Sequence, residues 1–233
     1  MNEDEESRKP KTIYFLSNDN ITHNIMPFLE NGIALYIVSK KFLDFRKLNK
    51  NVQFYLHKKN GAMKYYENRD FRNYISSLMH DTSKQLHIDL SHCYQIVDVS
   101  MLGNVYELNL TYCTEVVDVS LLGNIYKLNL SYCRRVSDVS ALGTVCDLNL
   151  TYCYGVHDVS MLGGVKILDL SYITGINDVS SLRNVHTLKL LCCWNINDVS
   201  MLGNVDTLYL TSCNRLGAND ISVLVGKVRN LYI

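Results

Sequence analysis

Asp98–Cys113 reads DVSMLGNVYELNLTYC, and four residues later Asp118–Cys133 reads DVSLLGNIYKLNLSYC. Asp98, Asp118, Asp138, Asp158, Asp178 and Asp198 each open a DVS tripeptide at a spacing of 20 residues, and Asp220 in DIS follows after a two-residue expansion. The chain is therefore a tandem array. Inside each unit, polar and apolar residues alternate over a short stretch such as Glu107-Leu108-Asn109-Leu110-Thr111. This is the period of a half-buried strand. The same stretch recurs in every unit, so one strand per turn predicts a parallel sheet. A 20-residue unit leaves no room for a long amphipathic helix.

The pattern Leu-x-x-Leu-x-Leu-x-x-Cys, written here as VYELNLTYC, resembles the leucine-rich repeat, whose turns stack into a curved solenoid. The resemblance spans about residues 86 to 233. It implies an α/β solenoid of short, 20-residue leucine-rich repeats with one parallel strand per turn. Units this short favour 3-10 turns or extended segments on the convex side.

Composition sets outer limits. The chain of 233 residues balances 23 Lys+Arg against 23 Asp+Glu, so no global attraction to nucleic acid is implied. The first residues, MNEDEESRKPK, contain no apolar leader core, and no apolar run is long enough for a membrane span. An intracellular, cytoplasmic protein is expected, with no nucleic-acid or membrane partner. Of eight cysteines, Cys93, Cys113, Cys133, Cys153, Cys193 and Cys213 occupy one column of the repeat, and Ile173 takes the seventh place. An isoleucine replaces neither a disulfide partner nor a zinc ligand. The column reads as a buried ladder of thiols that act as small hydrophobes and weak donors, suited to a reducing compartment.

The Asp column, with a Ser two residues on, has the donors for calcium but reads better as a tight turn. There the carboxylate accepts a backbone N–H, and the Gly of the Leu-Gly pair is expected to relieve strain. The seven His are scattered, with His87 and His92 near Asp89 at the first strand, an edge position. No nucleophile elbow, phosphate loop or metal-spaced cluster is present. No catalytic residue, cofactor or metal is expected, and the array reads as a binding surface.

Upstream, residues 13–48 read IYFLSNDNITHNIMPFLENGIALYIVSKKFLDFRKL. Ile21, Ile25 and Leu29 recur at helical spacing, and a second apolar run ends in Val38-Ser39-Lys40-Lys41-Phe42. This stretch resembles an F-box. The resemblance implies docking on a Skp-type adaptor of a cullin-RING ubiquitin ligase, with Ile21, Ile25, Leu29, Val38 and Phe42 at the adaptor-facing or core positions. The other reading of the segment is a helical cap for the solenoid. The combined layout, and a Tyr-, Asn- and Ile-rich composition, resembles F-box and leucine-rich-repeat proteins of large DNA viruses of amoebae; the compartment would then be host cytoplasm.

The expected organisation is a disordered tail at 1–11, an F-box-like helical motif at 12–48, a helical linker and cap at 49–85 and the solenoid at 86–233. A helix is predicted over about 70–80, with Asp70 as its N-cap, and a last strand at Leu231–Ile233. Repetition marks the scaffold, so departures from it mark the target site. Ile167, Lys189, Leu191, Trp194 and Tyr209 break columns that are polar or small elsewhere. They are the candidate contacts for a target protein on the concave face. Tyr112, Tyr132, Tyr152 and Tyr172 form a column beside that face, read first as regular stacking. The function implied is a non-enzymatic adaptor, the substrate-recognition subunit of an SCF-type ligase; the alternative is a ligase-independent scaffold.

Overall fold

The structure, a computed structural model, describes residues 11–13, 52–57, 61–78 and 84–233. It divides into an N-terminal unit (residues 1–89 with 105–107) and a repeat unit (residues 90–104 and 108–233). The adaptor positions Ile21, Ile25, Leu29, Val38 and Phe42 lie outside the described residues.

Three-residue strands recur once per turn: β4 (Glu107–Asn109), whose first residue counts with the N-terminal unit, and, in the repeat unit, β5 (Lys127–Asn129), β6 (Asp147–Asn149), β7 (Ile167–Asp169), β8 (Thr187–Lys189) and β9 (Thr207–Tyr209). β10 (Asn230–Tyr232) ends the series, one residue earlier than the predicted Leu231–Ile233. Strands pair in sequence order and in parallel, in a register that sets Lys127 beside Asp147, Asp147 beside Ile167 and Ile167 beside Thr187. Equivalent positions therefore stack into columns, as a solenoid of 20-residue leucine-rich repeats requires. The opposite side carries 3-10 turns, Ser100–Leu102, Ser120–Leu122, Ser140–Leu142, Ser160–Gly164, Ser180–Asn184 and Ser200–Asn204.

The core follows from the pattern. Leu108, Leu110, Cys113, Val116, Val119, Leu122 and Ile125 are all buried, and so are their equivalents from Ile88 to Cys213. Each fully buried leucine contributes about 1.5–3 kcal/mol through removal of apolar surface from water. Short strands suffice because every rung's backbone bonds the next: Leu110 N–H donates to Asn129 C=O at 2.8 Å and Tyr112 N–H to Ser131 C=O at 2.9 Å.

The Asp column is a turn device. In six successive units the Asp Oδ1 accepts the N–H of the Ser two residues on, at 2.8–2.9 Å. These bonds and those of the Ser side chains, the latter foremost at Asp138, hold the six carboxyls below their ordinary range. The glycine that follows has a different purpose from the one expected. Gly103, Gly123 and Gly143 sit at ordinary helical φ of −62° to −64°. A Cβ there would collide with the carbonyl oxygen of Leu121, Ala141 or Met161 in the next turn. Close approach of successive turns, not backbone strain, demands glycine.

Strain resides elsewhere. His92, Tyr112, Tyr132, Tyr152, Tyr172, Cys192 and Ser212, just beyond the strands, have φ of 55° to 64°. Non-glycine residues there cost on the order of 1 kcal/mol or more each. The sequence offers no glycine or asparagine to announce this turn.

The last unit departs from the rest. It is three residues longer, since Asn230 pairs with Thr207, and a short helix, Ala218–Ser222, stands in place of the 3-10 turn. Asp220 Oδ2 accepts Gly217 N–H at 2.8 Å at the start of that helix, so DIS does not repeat the DVS turn.

The N-terminal unit has β1 (Lys11–Ile13), β2 (Val52–Leu56) and β3 (Lys84–Asp89) in parallel order, with α1 (Met63–Glu67) and α2 (Arg69–Leu78) between β2 and β3. α2 falls near the predicted helix, but Asn68, not Asp70, caps it: Asn68 Oδ1 accepts Phe71 N–H at 2.8 Å. An N-cap lies before the first helical residue, and Asp70 is already inside the first turn. α1, β1 and β2 have no clear signature in the sequence.

Candidate protein-interaction surface

The cysteine ladder lies beneath the strand ends. Sγ of Cys113, Cys133, Cys153, Cys193 and Cys213 donates to the carbonyls of Leu90, Leu110, Leu130, Leu170 and Leu190, at 2.8–3.2 Å. Each thiol thus ties a turn to the preceding rung. Burial pushes the Cys153 and Cys193 thiols up to about 12, and Cys133 and Cys213 also rise through loss of solvent. All eight cysteines are free thiols, and buried, protonated thiols are poor nucleophiles. Among the described residues no group of three or more His, Cys, Asp or Glu side chains is arranged to hold a metal ion.

Above the ladder, polar columns of the middle rungs satisfy themselves. Asn109, Asn129, Asn149 and Asp169 present Oδ1 to the N–H two residues on, at 2.9–3.1 Å, and Asn109 and Asn129 also accept the Thr111 and Ser131 hydroxyls. These side chains brace the positive-φ turn rather than reach outward. Beside them Lys127 Nζ lies 3.8 Å from Asp147 Oδ2.

Next to these columns runs an aromatic stack. His92, Tyr112, Tyr132, Tyr152 and Tyr172 lie ring on ring, at centroid separations of 4.1–4.8 Å and interplanar angles of 10–22°. Stacking offsets the cost of their backbone conformation, since each aromatic pair adds about 0.5–1.5 kcal/mol. His92 heads a column that the sequence reading began at Tyr112. The Tyr112 hydroxyl titrates above the ordinary phenol range, chiefly through its hydrogen bond with Tyr132; Tyr152 does so chiefly through desolvation.

Further along, the pattern breaks. Ile167 on β7 is 40% exposed. Lys189 on β8 sits 3.6 Å from Asp169 Oδ2 and 5.9 Å from the Tyr209 ring centroid, a cation–π contact. Tyr209 on β9 stacks on Tyr232 at 4.4 Å. Leu191 occupies the column of Thr111, Ser131, Thr151 and Ser171, and its backbone is bonded on both sides: its N–H donates to Ser171 Oγ, and its carbonyl accepts Tyr172 N–H. Trp194 lies on the loop after β8 and is 51% exposed, so it does not pack beneath its own turn. Register brings Lys189 and Tyr209 side by side; Ile167 lies one column over, and Leu191 and Trp194 belong to the turn edge.

In the N-terminal unit, His87 is buried rather than at an exposed edge. Its ring stacks on Tyr55 at 4.3 Å, its Nδ1 lies 2.7 Å from Glu107 Oε2, and its Nε2 has no hydrogen-bond partner among the described residues. No helix among the described residues is long and apolar enough to cross a membrane.

The fold and surface define a leucine-rich-repeat solenoid with a self-satisfied middle and an irregular far end. No protein-family model matches the chain, and no curated protein matches it. Among solved structures, it is similar to internalin C2 of Listeria monocytogenes, at 21% identity and TM-score 0.42 over 64% of this chain and 66% of that one. It is also similar to the functional domain of InlJ from the same species, described as including a cysteine ladder, at 14% identity and TM-score 0.38 over 65% of this chain and 42% of that one. The chain spans less than two thirds of either protein.

Proposed function

We propose that the chain is a protein-binding repeat scaffold that takes its target on the strand face and turn edge at β7–β9, through Ile167, Lys189, Leu191, Trp194 and Tyr209. One observation carries this reading. Asn side chains of the middle strands are consumed by bonds within the array, whereas at β7–β9 the strand and turn-edge columns change to apolar and aromatic residues, with Ile167 and Trp194 exposed and Leu191 and Tyr209 half-buried. Aromatic residues beside aliphatic and cationic ones are the usual composition of binding hot spots. Proximity and orientation would be the chain's contribution, with no chemistry of its own.

Within this reading the chain is the target-recognition subunit of an SCF-type ubiquitin ligase, with the F-box-like segment engaging a Skp-type adaptor. Support comes from the sequence pattern Ile21, Ile25, Leu29 and Val38-Ser39-Lys40-Lys41-Phe42. Free, buried thiols suit a reducing cytoplasm, that of a host if the source is viral. One observation favours a ligase-independent scaffold: Thr12 and Ile13, at the start of that segment, belong to strand β1. The test is recovery of a Skp-type adaptor and cullin with the full chain, compared with Val38→Glu/Phe42→Glu in a folded variant. Loss of the adaptor with target binding retained supports the ligase reading; unchanged recovery removes it, and loss of folding favours a cap.

A further inference from the structure

The aromatic stack stops while the turn that carries it continues. Cys192 and Ser212 adopt the same positive φ as the tyrosines, at 55° and 61°, but bring no ring. Tyr172 therefore has a ring neighbour on one side only, Tyr152 at 4.3 Å. At the first ringless rung three substitutions coincide. Leu191 replaces a hydroxyl residue, Cys192 replaces Tyr, and Trp194 stands in a column of Tyr94, Thr114, Arg134, Tyr154, Thr174 and Asn214. Cys192 is half-buried and its thiol is free.

The array itself indicates how a ring in that position would be held. Where ladder position and loop position are both aromatic, the two meet edge to face: His92 with Tyr94 at 6.3 Å and Tyr152 with Tyr154 at 5.9 Å. Residues 192 and 194 have the same offset. Trp194 makes no ring contact and no hydrogen bond among the described residues, because the ring it would meet is missing. The notch beyond Tyr172 thus extends over two ringless rungs, with Leu191, Cys192 and Trp194 on the first of them.

We propose that this notch takes an aromatic side chain presented by a partner protein, which stacks on Tyr172 as the next rung and meets Trp194 edge to face. The proposal rests on the reading of this end of the array as a protein-binding surface, and it names what that surface selects. An aliphatic side chain would fill the space but forgo the stacking that the ladder uses from His92 to Tyr172.

Trp194 is the single tryptophan of the chain and so reports on its own surroundings. N-acetyl-tyrosine amide added to the full chain should shift Trp194 emission saturably, and N-acetyl-leucine amide should bind at least tenfold more weakly. Cys192→Tyr supplies the missing rung from within, so it should raise the melting temperature and weaken the tyrosine amide at least tenfold. Trp194→Ala, followed by saturation-transfer NMR of the amide, provides a second variant and should also lose binding. Equal responses to the two amides, or a folded Cys192→Tyr chain that responds like the unaltered one, overturn the proposal. A random peptide library selected on the full chain separates it from the broader reading. Peptides that carry an aromatic residue and are lost with Cys192→Tyr support the notch. Peptides lost with Tyr209→Ala but indifferent to Cys192→Tyr overturn it and leave strand-face binding in place.

Discussion

The rungs at β5 and β6 and the rungs at β8 and β9 share a backbone and a core but differ in what they leave for solvent. In the former, Asn129 and Asn149 brace their own turns, Lys127 faces Asp147, and Tyr132 and Tyr152 are covered by rings on both sides. In the latter, the ladder has lost its ring, Leu191 has displaced a hydroxyl, and Trp194 stands half exposed. A repeat whose variable positions bond to one another has little left to offer a partner. On the proposed reading, binding capacity comes from interrupting the repeat while its buried columns stay intact.

The largest effect should come from the shared core. Cys133→Asp places a carboxylate at a fully buried position between the thiols of Cys113 and Cys153. It should cost several kcal/mol, on the order of 3–5, and unfold adjacent rungs in chemical denaturation followed by circular dichroism. Cys213→Asp, at a site 7% exposed near the end of the array, should cost distinctly less. Equal losses would mean that the ladder is not graded by burial.

Glycines give the next contrast. A Cβ at Gly143 meets the Met161 carbonyl, which is backbone, whereas at Gly203 it meets only the flexible Lys227 side chain. Gly143→Ala should destabilise by about 1–3 kcal/mol in denaturant titration, and Gly203→Ala should be close to neutral.

The ladder itself comes third. Tyr152→Ala loses stacking on both faces while keeping the positive φ, a cost of about 1–3 kcal/mol. Ser212→Gly has no stacking to lose and removes strain, so it should stabilise by about 1 kcal/mol. Melting temperatures would show the opposite signs.

Much of this organisation is legible in the sequence because it is periodic. The Asp spacing fixes the turn, the leucine alternation fixes the strand, and an isoleucine at 173 among cysteines rules the column apolar. What escapes is aperiodic or has no local signature. Positive φ is hidden at Tyr112 and its equivalents because no glycine or asparagine marks it. The helix at Ala218–Ser222 is hidden because DIS resembles DVS until two extra residues give Asp220 a different N–H to accept. In the N-terminal unit, β2 is flanked by no repeat that could set its register, and Asn68 is one of several residues able to cap α2. Of the surface, the irregular residues could be picked out by comparing units, but the missing rung beside Trp194 emerges only once the tyrosines are seen to stack.

The smallest effect concerns acid. The Asp carboxyls are held low by hydrogen bonds made only in the folded turn. Their contribution is therefore present above the unfolded carboxylate pKa of about 3.9 and is lost as pH falls through the lower folded values. Asp138→Ala should lower the melting temperature slightly at neutral pH, and the difference from the unaltered chain should shrink below about pH 4.

The central claim, that binding belongs to the interrupted rungs, is tested most directly by target affinity. Once a partner is captured, Trp194→Ala and Tyr209→Ala are compared with Glu107→Ala and Asn109→Ala for dissociation constant and melting temperature. The first pair should each weaken binding by about 30-fold, near 2 kcal/mol, with melting temperature little changed, and the second pair should leave affinity nearly unchanged. Greater loss of affinity from Glu107→Ala and Asn109→Ala, or a Trp194→Ala chain that loses stability rather than affinity, would contradict the account.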